Sequence, residues 1–90
     1  MEIVRLPITD TIDLHTFRPR EVAGLVEEYL YQAVRKGLVR VRVIHGRGSG
    51  TQRKIVHAIL RKHPQVIRFQ DAEDHGSTIV ILKQSAPSDS

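Results

Sequence analysis

Val41-Arg42-Val43-Ile44-His45-Gly46-Arg47-Gly48-Ser49-Gly50 is the stretch from which the fold can be read. A β-branched run stops at a histidine, glycine then takes every second position, and Thr51-Gln52-Arg53-Lys54-Ile55-Val56 follows. The order predicts a strand, a tight loop and a helix start. Such a turn aims free backbone N–H groups and the positive end of a helix dipole at one place, which suits an anion. Arg47, Arg53 and Lys54 add full charges there. Phosphate is the guest this chemistry fits.

Upstream, Val39-Arg40-Val41-Arg42-Val43 alternates strictly, so the valines are expected in the core and Arg40 and Arg42 on the other side. Before it, Val22, Leu25, Val26, Tyr29, Leu30, Ala33 and Val34 recur at spacings of three and four, the stripe of an amphipathic helix. Pro19 suits the first helical position and Gly37 the left-handed stop. Arg18 is a poor cap, and Thr16 is the expected substitute acceptor. Ile12-Asp13-Leu14-His15 reads as a short strand that sends Asp13 and His15 off one face. A helix joining two strands in this way implies a parallel, right-handed crossover, which places His15 and His45 at the same end of the sheet. Residues 1–9 read as an N-terminal arm or edge strand, since Pro7 lacks a ladder donor.

Downstream, a second helix is expected from about Ser49 to His63, with Ile55, Val56, Ile59 and Leu60 inward and Arg53, Lys54, His57, Arg61 and Lys62 outside. Val66 to Gln70 reads as a strand, Asp71 to Gly76 as a polar turn, and Thr78-Ile79-Val80-Ile81-Leu82 as a strand apolar on both faces and therefore central. Residues 84–90 have the composition of a disordered tail. The fold class is α/β: a two-layer sandwich in the order strand, helix, strand, helix, strand, strand, with two helices on one face of a mixed four-stranded sheet. The domain proper is expected over residues 10–83.

At 90 residues the chain holds one modest core. The absence of cysteine excludes disulfides and thiolate zinc sites. No apolar run approaches the roughly 20 residues of a membrane span, and Met1-Glu2-Ile3-Val4-Arg5 does not open a signal peptide. A cytoplasmic monomer is the expectation. Every Asp and Glu lies at or before Glu28 or at or after Asp71, whereas ten of the fourteen Lys and Arg fall between them. A purely cationic middle calls for a polyanion, and aromatic content of 4% is too low for a base-stacking platform. Contacts to phosphates are expected to dominate.

Asp beside His is the pairing that fixes an imidazole tautomer and raises its basicity, and a second histidine nearby offers the complementary acid. Asp13, His15 and His45 are therefore the candidate catalytic residues. Gly46, Arg47, Gly48, Ser49, Gly50, Arg53, Lys54, Arg40 and Arg42 are the candidate nucleic-acid contacts. A divalent metal on Asp13, His15 and His45 is conceivable chemistry for DNA hydrolysis, but the surrounding arginines disfavour it, and no metal or other cofactor is expected to be obligatory. Gly46 to Gly50 is not a Walker loop, since no Lys-Ser or Lys-Thr follows, and the chain is too short to hold a dinucleotide against Asp71. His57, His63 and His75 have no such context and read as structural.

These residues resemble a known family. Ile12-Asp13-Leu14-His15-Thr16 is similar to the Leu-Asp-Leu-His-Gly motif of the Smr (small MutS-related) domain, and Ile44 to Gly50 to its His-Gly-Lys-Gly-x-Gly motif. Gly76-Ser77-Thr78-Ile79-Val80 resembles the closing Gly-x-Thr-x-Val segment. The resemblance implies the architecture of the C-terminal domain of translation initiation factor three. It also implies endonuclease activity on branched DNA or on RNA at stalled ribosomes, in repair, recombination or ribosome quality control. Asp13, His15 and His45 then map to catalytic positions and the glycine loop to the nucleic-acid contact. Thr16 replaces a glycine of the motif, and Asp74-His75-Gly76 replaces a glycine pair. The alternative is a module that binds DNA, RNA or a ribosomal surface through Arg40, Arg42, Arg68 and the loop without cutting.

Overall fold

Helix α1 (Pro19–Arg35) buries Val22, Val26, Tyr29, Leu30, Ala33 and Val34, the stripe expected from its apolar spacing. It lies between strands β1 (Thr11–Asp13) and β2 (Arg40–Ile44), and helix α2 (Thr51–Lys62), strand β3 (Val66–Asp71) and strand β4 (Ser77–Leu82) complete the order. The computed structural model describes residues 9–84. The arm expected over residues 1–9 and the tail expected over 84–90 lie, apart from Thr9 and Gln84, outside the described residues.

The start of α1 corrects one expectation. The Arg18 backbone N–H donates to Glu21 Oε1 at 2.9 Å, so Glu21 rather than Thr16 closes the helix entrance. Glu21 is also the acidic residue that favours the helix dipole in the first turn. At the other end Gly37 adopts φ +80°, and Leu38 N–H returns to Ala33 O at 3.0 Å, which stops the helix as Gly37 predicted.

The sheet order is β1-β2-β4-β3. β1 runs parallel to β2, with Asp13 beside Ile44, and the other two pairings are antiparallel. β4 is therefore interior, as its two-sided apolar pattern required. Leu14, Val41, Val43, Val80 and Leu82 face the helices and meet Val22, Val26, Leu30, Val56 and Leu60 in one core. Leu14 is fully buried, and Leu14→Ala would cost about 2–5 kcal/mol. Val39 departs from the strict alternation: it precedes β2, whose first residue is Arg40, and remains 41% exposed.

Alternation of the strands sorts the chemistry. Asp13, His15, Arg40, Arg42, Arg68 and Gln70 leave the face without helices, whereas His45, Thr78 and Asp71 follow the core side chains toward the helix layer. The ends of β1 and β2 coincide, so His15 and His45 do lie at one end of the sheet.

Candidate functional site

β1 ends on Asp13, and the chain turns at once, with Leu14 N–H bonded to Ile44 O at 2.7 Å. His15 then folds back on Asp13: its backbone N–H reaches Oδ1 at 3.0 Å and its ring Nδ1 the same oxygen at 2.5 Å. A carboxylate only accepts, so Nδ1 carries a proton, and in the neutral ring Nε2 then keeps a lone pair. No described residue bonds Nε2, and the ring is more than half exposed. The His15 side chain, then its backbone N–H, holds the Asp13 carboxyl below its usual 3.8.

β2 leads into the glycine loop. Gly46 and Gly50 have φ +86° and +87°, conformations that a side chain would strain. A Cβ on Gly46 would also sit 3.4 Å from His15 Cβ, so glycine brings the loop against the imidazole. The carbonyl of Gly76 takes both the His45 and Gly46 N–H groups, at 3.0 and 2.9 Å, and ties the loop to the β3–β4 turn. Ser49 and Thr51 share a hydroxyl contact of 2.8 Å at the entrance of α2, whose first turn holds no acidic residue. His15, Pro19, His45 and the run from Gly46 to Arg53 line a depression of about 350 Å³.

The predicted residues fall into two groups. His15, His45, Gly46, Arg47, Gly48, Ser49, Gly50 and Arg53 border the depression; Asp13 supports it from behind through His15. Lys54 is exposed one residue beyond the lining, and Arg40 is exposed on the open sheet face. Arg42 and Arg53 are not the unpartnered cations expected from the charge pattern. Arg42 Nη1 donates to Ser77 Oγ at 2.9 Å and lies 3.5 Å from Asp74, while Arg53 forms a two-point bond with Asp71 at 3.1 and 2.6 Å. The β3–β4 hairpin folds its carboxylates back over the cationic segment, a proximity that sequence distance conceals. Arg47 remains exposed, with one long contact of 3.4 Å to Asp74 O.

His57 is the largest correction. Expected outside and without context, it is buried on α2, its ring edge-on to Phe69 at 4.8 Å. Its Nε2 lies 2.9 Å from Thr78 Oγ1 and 3.3 Å from Asp71 Oδ1, and the same hydroxyl lies 2.9 Å from His45 Nε2. Desolvation first, then Arg53, lowers the pKa of His57, so it is neutral at pH 7. One signal for this network was present in the sequence. Thr78 stands in an otherwise apolar interior strand, and a buried hydroxyl needs partners. Of ligand-type side chains among the described residues, His45, His57 and Asp71 group within 4.8 Å, rather than the expected Asp13, His15 and His45. Strand alternation separates His15 from His45, and Arg53 already neutralises Asp71.

The fold and the site define a small two-layer α/β domain built around a glycine-rich strand-to-helix turn with an imidazole–carboxylate pair at its side. The chain belongs to the Smr domain family, whose family pattern matches residues 12–83. It is 42% identical over 76 residues to the protein named endonuclease MutS2 of Thermomicrobium roseum. It is 36% identical over 74 residues to the protein of the same name from Helicobacter pylori. Each alignment takes in 80% of this chain but 10% of the relative, so the chain spans about a tenth of the length of these curated relatives. Among solved structures, the Smr domain of Thermus thermophilus MutS2 superposes with a TM-score of 0.79 at 32% identity, covering 83% of this chain and 99% of that one. YdaL, a stand-alone small MutS-related protein from Escherichia coli, gives 0.78 at 25% identity, covering 83% and 65%.

Proposed function

We propose that this domain is a nucleic-acid-binding endonuclease of low sequence specificity, with phosphodiester bonds in structured RNA or DNA as its substrate. The observation that carries the proposal is the Asp13–His15 pair, with Nε2 open, beside a depression walled by the glycine loop and the start of α2. The names of the MutS2 relatives point the same way.

In this reading Asp13 holds His15 with Nδ1 protonated, and His15 Nε2 removes a proton from the attacking hydroxyl. Arg47, Lys54 and the backbone N–H groups of the loop seat the phosphate and its developing charge. With RNA the 2′-hydroxyl is the nucleophile: its oxygen bonds to phosphorus, the bond to the 5′-oxygen breaks, and that oxygen leaves as an alcohol after protonation by water. The product is a 2′,3′-cyclic phosphate. DNA lacks that hydroxyl, and its cleavage would use activated water, a reaction in which a divalent ion commonly supplies the charge.

The test is incubation of the purified chain with structured RNA and with branched DNA, with and without magnesium or manganese, followed by end-group analysis. A cyclic phosphate that disappears with His15→Ala supports the assignment. Cleavage that survives His15→Ala places the chemistry elsewhere. A second reading, a module that binds DNA, RNA or a ribosomal surface without cutting, is favoured by one observation: Arg40 and Arg68 stand exposed on the open sheet face, away from the depression. Binding abolished by Arg40→Glu with Arg68→Glu, together with cleavage of neither substrate, would select it.

A further inference from the structure

His45 is 4% exposed and both of its ring nitrogens have partners, a setting unlike that of His15. Its Nδ1 lies 3.1 Å from Gly46 O. A carbonyl can only accept, so Nδ1 carries a proton. With that proton on Nδ1, the neutral ring accepts at Nε2. Among the described residues the group bonded there is the Thr78 hydroxyl, which donates its single proton at 2.9 Å. Thr78 Oγ1 is left to accept, and the His57 Nε2–H fills that role at 2.9 Å. Asp71 Oδ1, 3.3 Å from the same nitrogen and held by Arg53, keeps the proton of His57 on that side. Each bond in the chain has one allowed direction.

We propose that Asp71 and His57 act through Thr78 as positioning residues that lock His45 in its neutral Nδ1–H form. His45 thereby commits its one donor to the Gly46 carbonyl, which fixes the start of the glycine loop where a phosphate would sit, and is not available as a base. The labour is divided: His15, with its open Nε2, handles the proton, and His45 holds the shape of the loop. Only the consequence for cleavage rests on the nuclease reading; the tautomer itself does not.

The test is long-range 1H–15N correlation of the histidine rings in the full chain near pH 7.5. Nδ1–H for His45 and Nε2–H for His57 are expected. Thr78→Val removes the hydroxyl at nearly constant volume and should give His45 a mixture of tautomers, with cleavage slowed up to about 10²-fold through misplacement of the loop. Thr78→Ser should restore both. An Nε2–H His45 in the wild-type protein, or a His45 tautomer indifferent to Thr78→Val, overturns the proposal. So does one equivalent of zinc shifting His45 and His57 together, which would make the cluster a metal site. Should Thr78→Val fail to fold, the wild-type tautomer and the Thr78→Ser spectrum still decide. If no substrate is cut but the tautomers are as stated, the nuclease reading fails and the positioning chain stands.

Discussion

Arg53 and Asp71, eighteen residues apart, are joined through both carboxylate oxygens at 3.1 and 2.6 Å. The pair takes Arg53 out of the set of cations free to meet a phosphate, although Arg53 lines the depression. Each phosphate neutralised by a side chain contributes about −0.9 to the slope of log affinity against log salt for duplex DNA. Arg47→Ala and Lys54→Ala should therefore each reduce the slope by about that much. Arg53→Ala should leave it near the wild-type value, and Asp71→Asn should steepen it. Fluorescence anisotropy over a salt series gives the answer; a full unit lost in Arg53→Ala alone would reverse the assignment.

Asp13 and His15 separate chemistry from binding. His15→Ala should slow cleavage by about 10²- to 10⁴-fold, and Asp13→Asn should follow it because the amide no longer fixes the tautomer. Substrate affinity should change little in either variant, since the phosphate is seated by Arg47, Lys54 and the loop rather than by this pair. Parallel single-turnover rates and binding isotherms check this, and a large affinity loss with an unchanged rate contradicts it.

His57 makes stability depend on pH in a defined window. Its folded-state pKa is lowered below the ordinary 6.5, so on acidification the unfolded chain takes up the proton first. Stability is complete above about pH 6.5 and declines as pH falls below it. Asp13, Asp71 and Asp74, all lowered from 3.8 by their hydrogen bonds, add a second decline only in stronger acid. Tm should drop between pH 7 and 5.5 in the wild type, and less steeply in His57→Gln. Equal slopes for the two proteins would remove His57 from the account.

His75 occupies φ +60°, the left-handed region in which a side chain is strained. Relief of that strain, less the greater freedom glycine gives the unfolded chain, should make His75→Gly more stable by about 0.5–1 kcal/mol. Denaturant unfolding measures it. A destabilised variant would mean that the exposed imidazole contributes more than its backbone strains.

The elements were legible because periodicity reports burial. The spacing from Val22 to Val34 gave α1, and the unbroken apolar run through Ile79, Val80 and Ile81 placed β4 inside the sheet. The His15–Asp13 pairing was legible too, since residues two apart on a strand share a face. What could not be read is what tertiary folding brings together. The phase of α2 treats histidine as a polar residue and so sends His57 to solvent, whereas its bond to Thr78 holds it inside. The hairpin that carries Asp71 and Asp74 against Arg53 and Arg42 is likewise invisible to charge counting.

Among the described residues, β1 is three residues long, stands at the margin of the sheet and has a single neighbour, β2. The imidazole at its end is thus mounted beside an edge strand, while the glycine loop hangs from a strand flanked on both sides. Detachment of that ribbon would withdraw Asp13 and His15 together from the loop, and it would pull Ile12 and Leu14 out of the core at the same time. The imidazole is therefore kept in place by the same apolar side chains that close the interior.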